Sequence, residues 1–477
     1  MKKALAMSLG ALLVAGSAGA AHAASQIDFS GSYRVYFRNH WNQNVDGKTD
    51  GISAATHDSY FTHQLQFDVA FHATDEVSVY WRMRGPDRGV RDDRWGGGVN
   101  PSLFTRYVYG EVKQDWGTVS IGRLADSFVN LGLANLGWSP AGVESVDANW
   151  GAFDFDDATD GIRWANRWDN GFQLVGQFNR LRTARISDWT PGEDTPTPRG
   201  PFGDEEFSDL FVLEPAYFWD GGGATFGLHY LRDRVGFTDF TTPMERGALK
   251  AFFINPAIAH SFGDFSIHFE GKAGWGKLSY DNDEGVHVND SVSGYGFYLD
   301  FDYNYGPGNV MLAGWWTSGT KDNGKFRSLV DMGPGFAPLV VAHQGGGDYN
   351  RGRPANPNPN PLEHDPGGPT NAILEANDRS GDGTAANHWA IALTGAHAFT
   401  DDLTLRYALA NLWLTRTQPG ASRNIGFEAD LGFDIQLLDN LAFTTAFGYL
   451  FAGKALEPTG GKKQDAYNWF NTLTFSF

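Results

Sequence analysis

The sequence contains no cysteine, so disulfides, thiol catalysis and thiolate metal sites are all excluded. Positive charge is scarce: 37 basic residues stand against 56 acidic ones, a balance that speaks against nucleic acid as a partner. Beyond the first two dozen residues there is no apolar run of about eighteen residues, so no later segment crosses a membrane as a helix. Neither GxSxG nor HExxH occurs. A Ser-His-Asp set can always be picked from 13 histidines and 56 acids, so its mere presence carries no weight for a hydrolase. The expectation is that the protein is not an enzyme.

What is present begins with a leader. Met1-Lys2-Lys3 is basic, Ala4 to Ala15 is apolar, and Ala21-His22-Ala23 is a small-x-small cleavage site, which predicts a Sec signal peptide over 1–23 and an exported chain over 24–477. Losing Lys2 and Lys3 takes the formal charge from −19 to −21. Gly (60), Trp (16), Tyr (17) and Phe (36) are abundant, yet the mean hydropathy is only −0.36.

Alternation reconciles the two. Phe29, Tyr33, Val35 and Phe37 interleave with Ser30, Ser32, Arg34, Tyr36 and Arg38, and Leu65, Phe67, Val69 and Phe71 with Gln64, Gln66 and Asp68. Such strands have one apolar and one polar face, as in a soluble sandwich or a membrane barrel. The final stretch YNWFNTLTFSF puts Tyr467, Trp469, Leu473, Phe475 and Phe477 on one face, broken only by Asn471.

The connections separate the two architectures. Tight ones occur at 73–76, 114–117, 168–171, 219–223, 262–264, 305–309, 399–402 and 438–440. Between them lie long polar ones at 39–58, 85–103, 124–160, 181–207, 234–247, 277–291, 319–385 and 452–464. Short and long connections in turn predict an all-β, antiparallel, up-and-down transmembrane barrel with periplasmic turns and extracellular loops. The count is about eighteen strands, with sixteen as the alternative. The proline-rich 319–385 stretch reads as an irregular external loop. Trp41, Trp81, Trp138, Trp164, Trp168, Trp219, Trp389 and Trp469 fall near strand ends or outward positions and read as an interfacial girdle rather than a sugar-stacking path.

Inward positions then carry Arg34, Arg38, Arg82, Arg84, Arg106 and Arg163, several of them about 14–21 Å from the turn end of their strands. Arg123 shares parity with Val119 and Ile121, so joining this basic cluster requires a bulge or twist at Gly122. The third long loop holds Glu144, Asp147, Asp154, Asp156, Asp157 and Asp160 without a basic residue. Folded into a wet lumen, it would set acids against arginines across a narrow slot.

The strand and loop order, with IDFSGSYRVYF, TRYVYGEVKQDWGTVSIGR, GIRWANRWDNGFQLVGQF and the terminal Phe477, resembles the trimeric porins of Gram-negative outer membranes. The resemblance implies a homotrimer, a water-filled pore per subunit, and a constriction formed by the third loop against a basic cluster that includes Arg106 and Arg163. It also implies that the terminal aromatic strand is a signal read by the outer-membrane assembly machinery. Sixteen strands in that family go with general diffusion and eighteen with substrate-selective channels.

The expected function is a channel in the outer membrane of a Gram-negative bacterium for passive diffusion of small hydrophilic solutes and ions, weakly cation-selective. The alternative is a selective channel for sugars, amino acids or organic acids, toward which inward Tyr36 and Tyr80 point. Expected partners are two further copies of the chain, outer-membrane lipid and lipopolysaccharide. No cofactor is expected. Asp378, Ser380 and Asp382 have the spacing of half an EF-hand loop, but Trp389 occupies the twelfth position, leaving only loose Ca2+ or Mg2+ binding at external loops.

Overall fold

A computed structural model of the chain describes residues 26–41, 57–85, 104–124, 159–183, 207–233, 247–281, 287–319, 330, 339, 387–417, 422–456 and 465–477. The leader segment 1–23 lies outside them.

Alternating sequence becomes eighteen antiparallel strands. They are β1 Gln26–Trp41, β2 His57–His72, β3 Val77–Gly85, β4 Phe104–Gln114, β5 Gly117–Leu124, β6 Thr159–Arg167, β7 Phe172–Thr183, β8 Phe207–Trp219 and β9 Gly222–Asp233. Beyond these come β10 Gly247–Phe262, β11 Phe265–Asp281, β12 His287–Asn304, β13 Gly308–Thr317, β14 His388–Thr400, β15 Leu403–Leu414, β16 Asn424–Leu438, β17 Leu441–Ala452 and β18 Ala466–Ser476. Each pairs with its neighbours in the chain, and β1 pairs with β18, so the sheet closes and has no free edge. The eight tight connections expected from sequence all join strands at one rim. At one of them Gly171, with φ of 86°, turns the chain so that its N–H donates to the carbonyl of Trp168.

Two departures from the sequence reading concern the other rim. Residues 277–291 were expected to be loop, but Lys277 to Asp281 and His287 to Ser291 are paired strand. These residues stand far from the turn rim, where neither face needs to be apolar, so the period that marks a strand in the sequence is lost. A ninth long connection, at 415–423, separates β15 from β16 and was missed.

Side chains sort by parity. Exposed Phe29, Ile121, Ile162, Leu228, Phe252, Phe301, Leu312, Ile391, Leu409, Leu431 and Phe447 form the outer face, while Gln64, Gln66, Ser120, Gln177, Glu214, Glu270, Asp300 and Glu428 are buried toward the lumen. An apolar face that runs round the whole barrel has to be covered by hydrocarbon. Aromatic rings mark its two margins. On the loop side are Tyr230, Phe252, Trp275 and Trp316, with Trp389 stacked on Trp413 at 4.0 Å. Phe262, Phe265, Tyr303, Phe399 and Phe475 stand on the turn side, Phe265 lying 4.6 Å from Tyr303.

Closure is built into the terminus. Gly31 donates its N–H to the carbonyl of Phe477 at 2.8 Å and accepts the Phe477 N–H at 3.1 Å. The Phe477 ring lies over Gly31, between Phe29 at 6.0 Å and Phe67 at 5.8 Å, and a Cβ at Gly31 would come within 2.6 Å of it. An aromatic ring thus covers the backbone that a glycine leaves bare. Asn471, the odd residue of this strand, pairs on the outer face with Thr445, whose hydroxyl accepts the indole N–H of Trp469 at 3.0 Å.

Candidate functional site: a lumen with unlike walls

The ring of strands has a low and a tall side. Strands β3, β5 and β6 have 9, 8 and 9 residues, whereas β11 and β12 have 17 and 18. At roughly 3.3 Å per residue and a tilt near 45°, the low wall rises about 19–21 Å and the tall wall about 40 Å.

Strands β1, β3 and β6 place arginine inward. Arg34 lies opposite Gln64, and Arg163 lies between Ser120 and Gln177. Arg82 and Arg84 register with Asp68 and Gln66 on β2. The Arg82 Nε donates to Asp68 at 2.5 Å, Arg84 Nη2 to Gln66 Oε1 at 3.2 Å, and Gln66 Nε2 to Asp68 Oδ2 at 2.9 Å. Beside them the Arg82 guanidinium sits 5.0 Å from the ring centre of Tyr107, and Tyr109 lies 5.8 Å from Tyr107 and 5.2 Å from Tyr80. This wall is a patch of half-exposed phenol rings framed by charged groups whose positions are fixed by one another.

Several sequence expectations resolve differently here. Arg106 is the extra residue of a bulge: Arg82 faces Tyr107, Met83 faces Thr105, and the residue between is set by the bulge instead of by alternation. Arg123 does not join the inward cluster. The ladder runs through Gly122 without a register shift, which leaves Arg123 opposite Val108 on the outer side, where its Nε donates to the Arg106 carbonyl at 2.8 Å. Asp160 belongs to β6 rather than to the third loop, and pairs in register with Arg123 and Arg180 on the same outer side. Glu144, Asp147, Asp154, Asp156 and Asp157, the candidate cation ligands Asp378, Ser380 and Asp382, and the side chain of Arg38 lie outside the described residues.

Acid faces the arginines from the wall itself. In the closed ring β12 stands nine strands from β3, directly across the lumen. There Asp300 accepts from His268 Nδ1 at 3.1 Å, Asp302 accepts from Asn309 Nδ2 at 2.9 Å, and Glu270 lies opposite Tyr298. Glu214 on β8 and Glu428 and Asp430 on β16 also point inward and are buried, while Asp434 pairs with Arg406. Among these acids the cationic groups are Lys272 and Arg406, with His229 and His268 beside them.

One sector is not polar. Ala390, Ala392, Ala408, Ala410, Leu412, Leu414, Leu450, Ala452 and Ala466 face inward and form one buried cluster with Trp315, Val330 and Leu339. Val330 and Leu339 come from the long connection between β13 and β14, so part of that connection packs on the inner wall of β13 to β18. Trp315 is anchored there by its indole N–H, which donates to His388 Nε2 at 2.9 Å. Sequence reasoning missed this sector, although the signal was present: HWAIALTG and RYALANLWL are apolar on both faces, as strands buried on both sides are.

The geometry defines a class: a closed eighteen-stranded barrel with a membrane-type outer face and a charged lumen. Comparison with solved structures places this fold among porins. The chain resembles OccK9 (OpdG) of Pseudomonas aeruginosa at a TM-score of 0.53 and 12% identity, over 95% of this chain and 98% of that one. A BenF-like porin from Pseudomonas fluorescens Pf-5 gives 0.52 and 10%, over 95% and 98%. Pseudomonas aeruginosa OccK8 (OprE) gives 0.50 and 11%, over 95% and 98%. No family model and no curated protein matches the sequence.

Proposed function

We propose that the protein is an outer-membrane channel through which small hydrophilic solutes diffuse passively, and not an enzyme. The observation that carries this is the closed ring itself, charged within and apolar without. The likeness to porin structures supports it, and a signal peptide over 1–23 fits export to that membrane. Assembly as a homotrimer is favoured by the low wall: strands rising about 19–21 Å are shorter than an apolar band about 25 Å tall, and a neighbouring subunit would shield them. The chain's own acidity makes a weak cation preference the expectation, with lipopolysaccharide around the barrel and the terminal Phe477 read by the assembly machinery. Channel formation is tested by reconstitution into planar bilayers. Conductance steps grouped in threes are expected, and a folded barrel that never conducts would contradict the proposal.

A selective channel is the second reading, favoured by eighteen strands and by the contiguous rings of Tyr80, Tyr107 and Tyr109 beside Arg82. Rings of this kind stack on the flat faces of sugars or aromatic solutes while the flanking charges fix polar groups. Micromolar addition of one such solute should then lower the open-channel current, and Tyr107→Ala should abolish that block. Current insensitive to sugars, amino acids and organic acids alike would leave general diffusion.

A further inference from the structure

Charged residues occupy one continuous register row on the outer face of β7 to β11. Arg180 pairs with Asp209, Asp209 with Arg232, Arg232 with Lys250, and Lys250 with Lys277. Across β7, β8 and β9 the sign alternates, and Arg180 and Asp209 are joined by a bond of 3.0 Å. From β9 onward the alternation stops, and Arg232, Lys250 and Lys277 follow one another on adjacent strands. The row ends at Ser291 on β12, which supplies no counter-charge.

Like charges directly opposite in a ladder repel, so the pair of Lys250 and Lys277 weakens the sheet that carries it unless an anion lies over it. Both lysines are exposed, and they share their outward side with exposed Phe252 and Trp275 one step nearer the turn rim. Tyr230, Phe252 and Trp275 form the register row directly beneath the cations. Lys277 is about twelve residues along β11, a rise of about 28 Å, just past an apolar band about 25 Å tall. That is the level at which the phosphates of a membrane lipid lie, with its acyl chains running down over the aromatic row.

We propose that Lys250 and Lys277, continued by Arg232, form a binding site on the loop-side margin of the barrel for the phosphate groups of an outer-leaflet phosphorylated glycolipid. The proposal rests on the outer-membrane reading above. Strands spaced about 4.8 Å apart present the ammonium groups side by side, so one phosphate can accept charge-assisted hydrogen bonds from both. In a chain of formal charge −19, this cationic row provides a local attraction for an anionic headgroup that the rest of the protein repels.

The test is native mass spectrometry of the full chain in detergent with bis-phosphorylated lipid A and with the same glycolipid after removal of its phosphates. Wild type and K250R/K277R should retain bis-phosphorylated lipid A, whereas K250Q/K277Q should lose at least about tenfold in affinity. S291D, which supplies an internal counter-anion at an exposed position and leaves both lysines in place, should weaken binding in the same direction. Millimolar inorganic phosphate should not displace the lipid. Equal binding by K250Q/K277Q, indifference of the wild type to the lipid phosphates, or displacement by inorganic phosphate would each overturn the proposal. Conductance of the same preparations separates it from the channel reading: conducting barrels that ignore lipid phosphate contradict the site alone, and lipid-binding barrels that never conduct contradict the channel alone.

Discussion

The low wall of β3 to β6 and the rest of the ring from β10 to β18 are built from the same alternating strand, yet they solve different problems. Low strands keep a polar inner face of arginine, tyrosine and serine, with Arg84 and Ser120 buried within it and bonds such as Arg82 to Asp68 holding it in place. The strands from β10 to β18 bury much of their inner face, through Asp300, Glu270 and Lys272 in one sector and through alanine and leucine under Val330 and Leu339 in another. Inner-face polarity in a barrel therefore follows what each sector touches. Where the lumen is wet, residues are charged, and where chain packs inside, they shrink to alanine so that backbone can approach.

The comparison is broken most severely where the ring closes, at β1 and β18. Gly31→Val would drive a branched side chain into the Phe477 ring and the Gln66 carbonyl, whose atoms lie 2.6 and 2.5 Å from an ideal Cβ. The heat-modifiable folded form should be lost, and Phe477 deletion should impair assembly in the same way. Next in size is a contrast between walls. Leu412→Ala in the packed sector should cost about 2–5 kcal/mol in urea unfolding from lipid, while Ser120→Ala on the low wall should cost no more than about 1.5 kcal/mol. Trp469→Phe removes only the bond from the outer face to Thr445, and a loss of about 0.5–1.5 kcal/mol in the same assay is expected. Equal costs for Leu412→Ala and Ser120→Ala would mean that the two walls are not packed differently.

Strand number, tight turns and the direction of most side chains were legible because each strand through hydrocarbon must alternate. Arg34, Arg82, Arg84 and Arg163 follow that rule, and so do Tyr467, Trp469, Leu473 and Phe475. What failed did so where the rule lapses. Above the membrane band the two faces need not differ, which hid strand at Lys277 to Asp281. At the bulge, Arg106 is the residue that parity cannot place. Arg123 could join the inward cluster only through a bulge or twist at Gly122, and Asp160 was read as part of the third loop, whereas the two pair with each other on the outer side of a short wall. Of the third-loop acids only Asp160 lies within the described residues, and the acids that face the arginines from the wall itself went unread in the sequence. Asp300 and Asp302 stand two apart among apolar neighbours on β12, with Glu270 on β11, and are set against the arginines only by reading parity across strands that lie far apart in the chain.

The most direct test of two oppositely charged walls flanking one conducting path is the reversal potential in a KCl gradient for a pair of variants. R82Q/R84Q should move selectivity toward cations and D300N/D302N toward anions, each relative to wild type and each with unchanged heat modifiability. Shifts in the same direction, or no shift in either variant, would contradict the account.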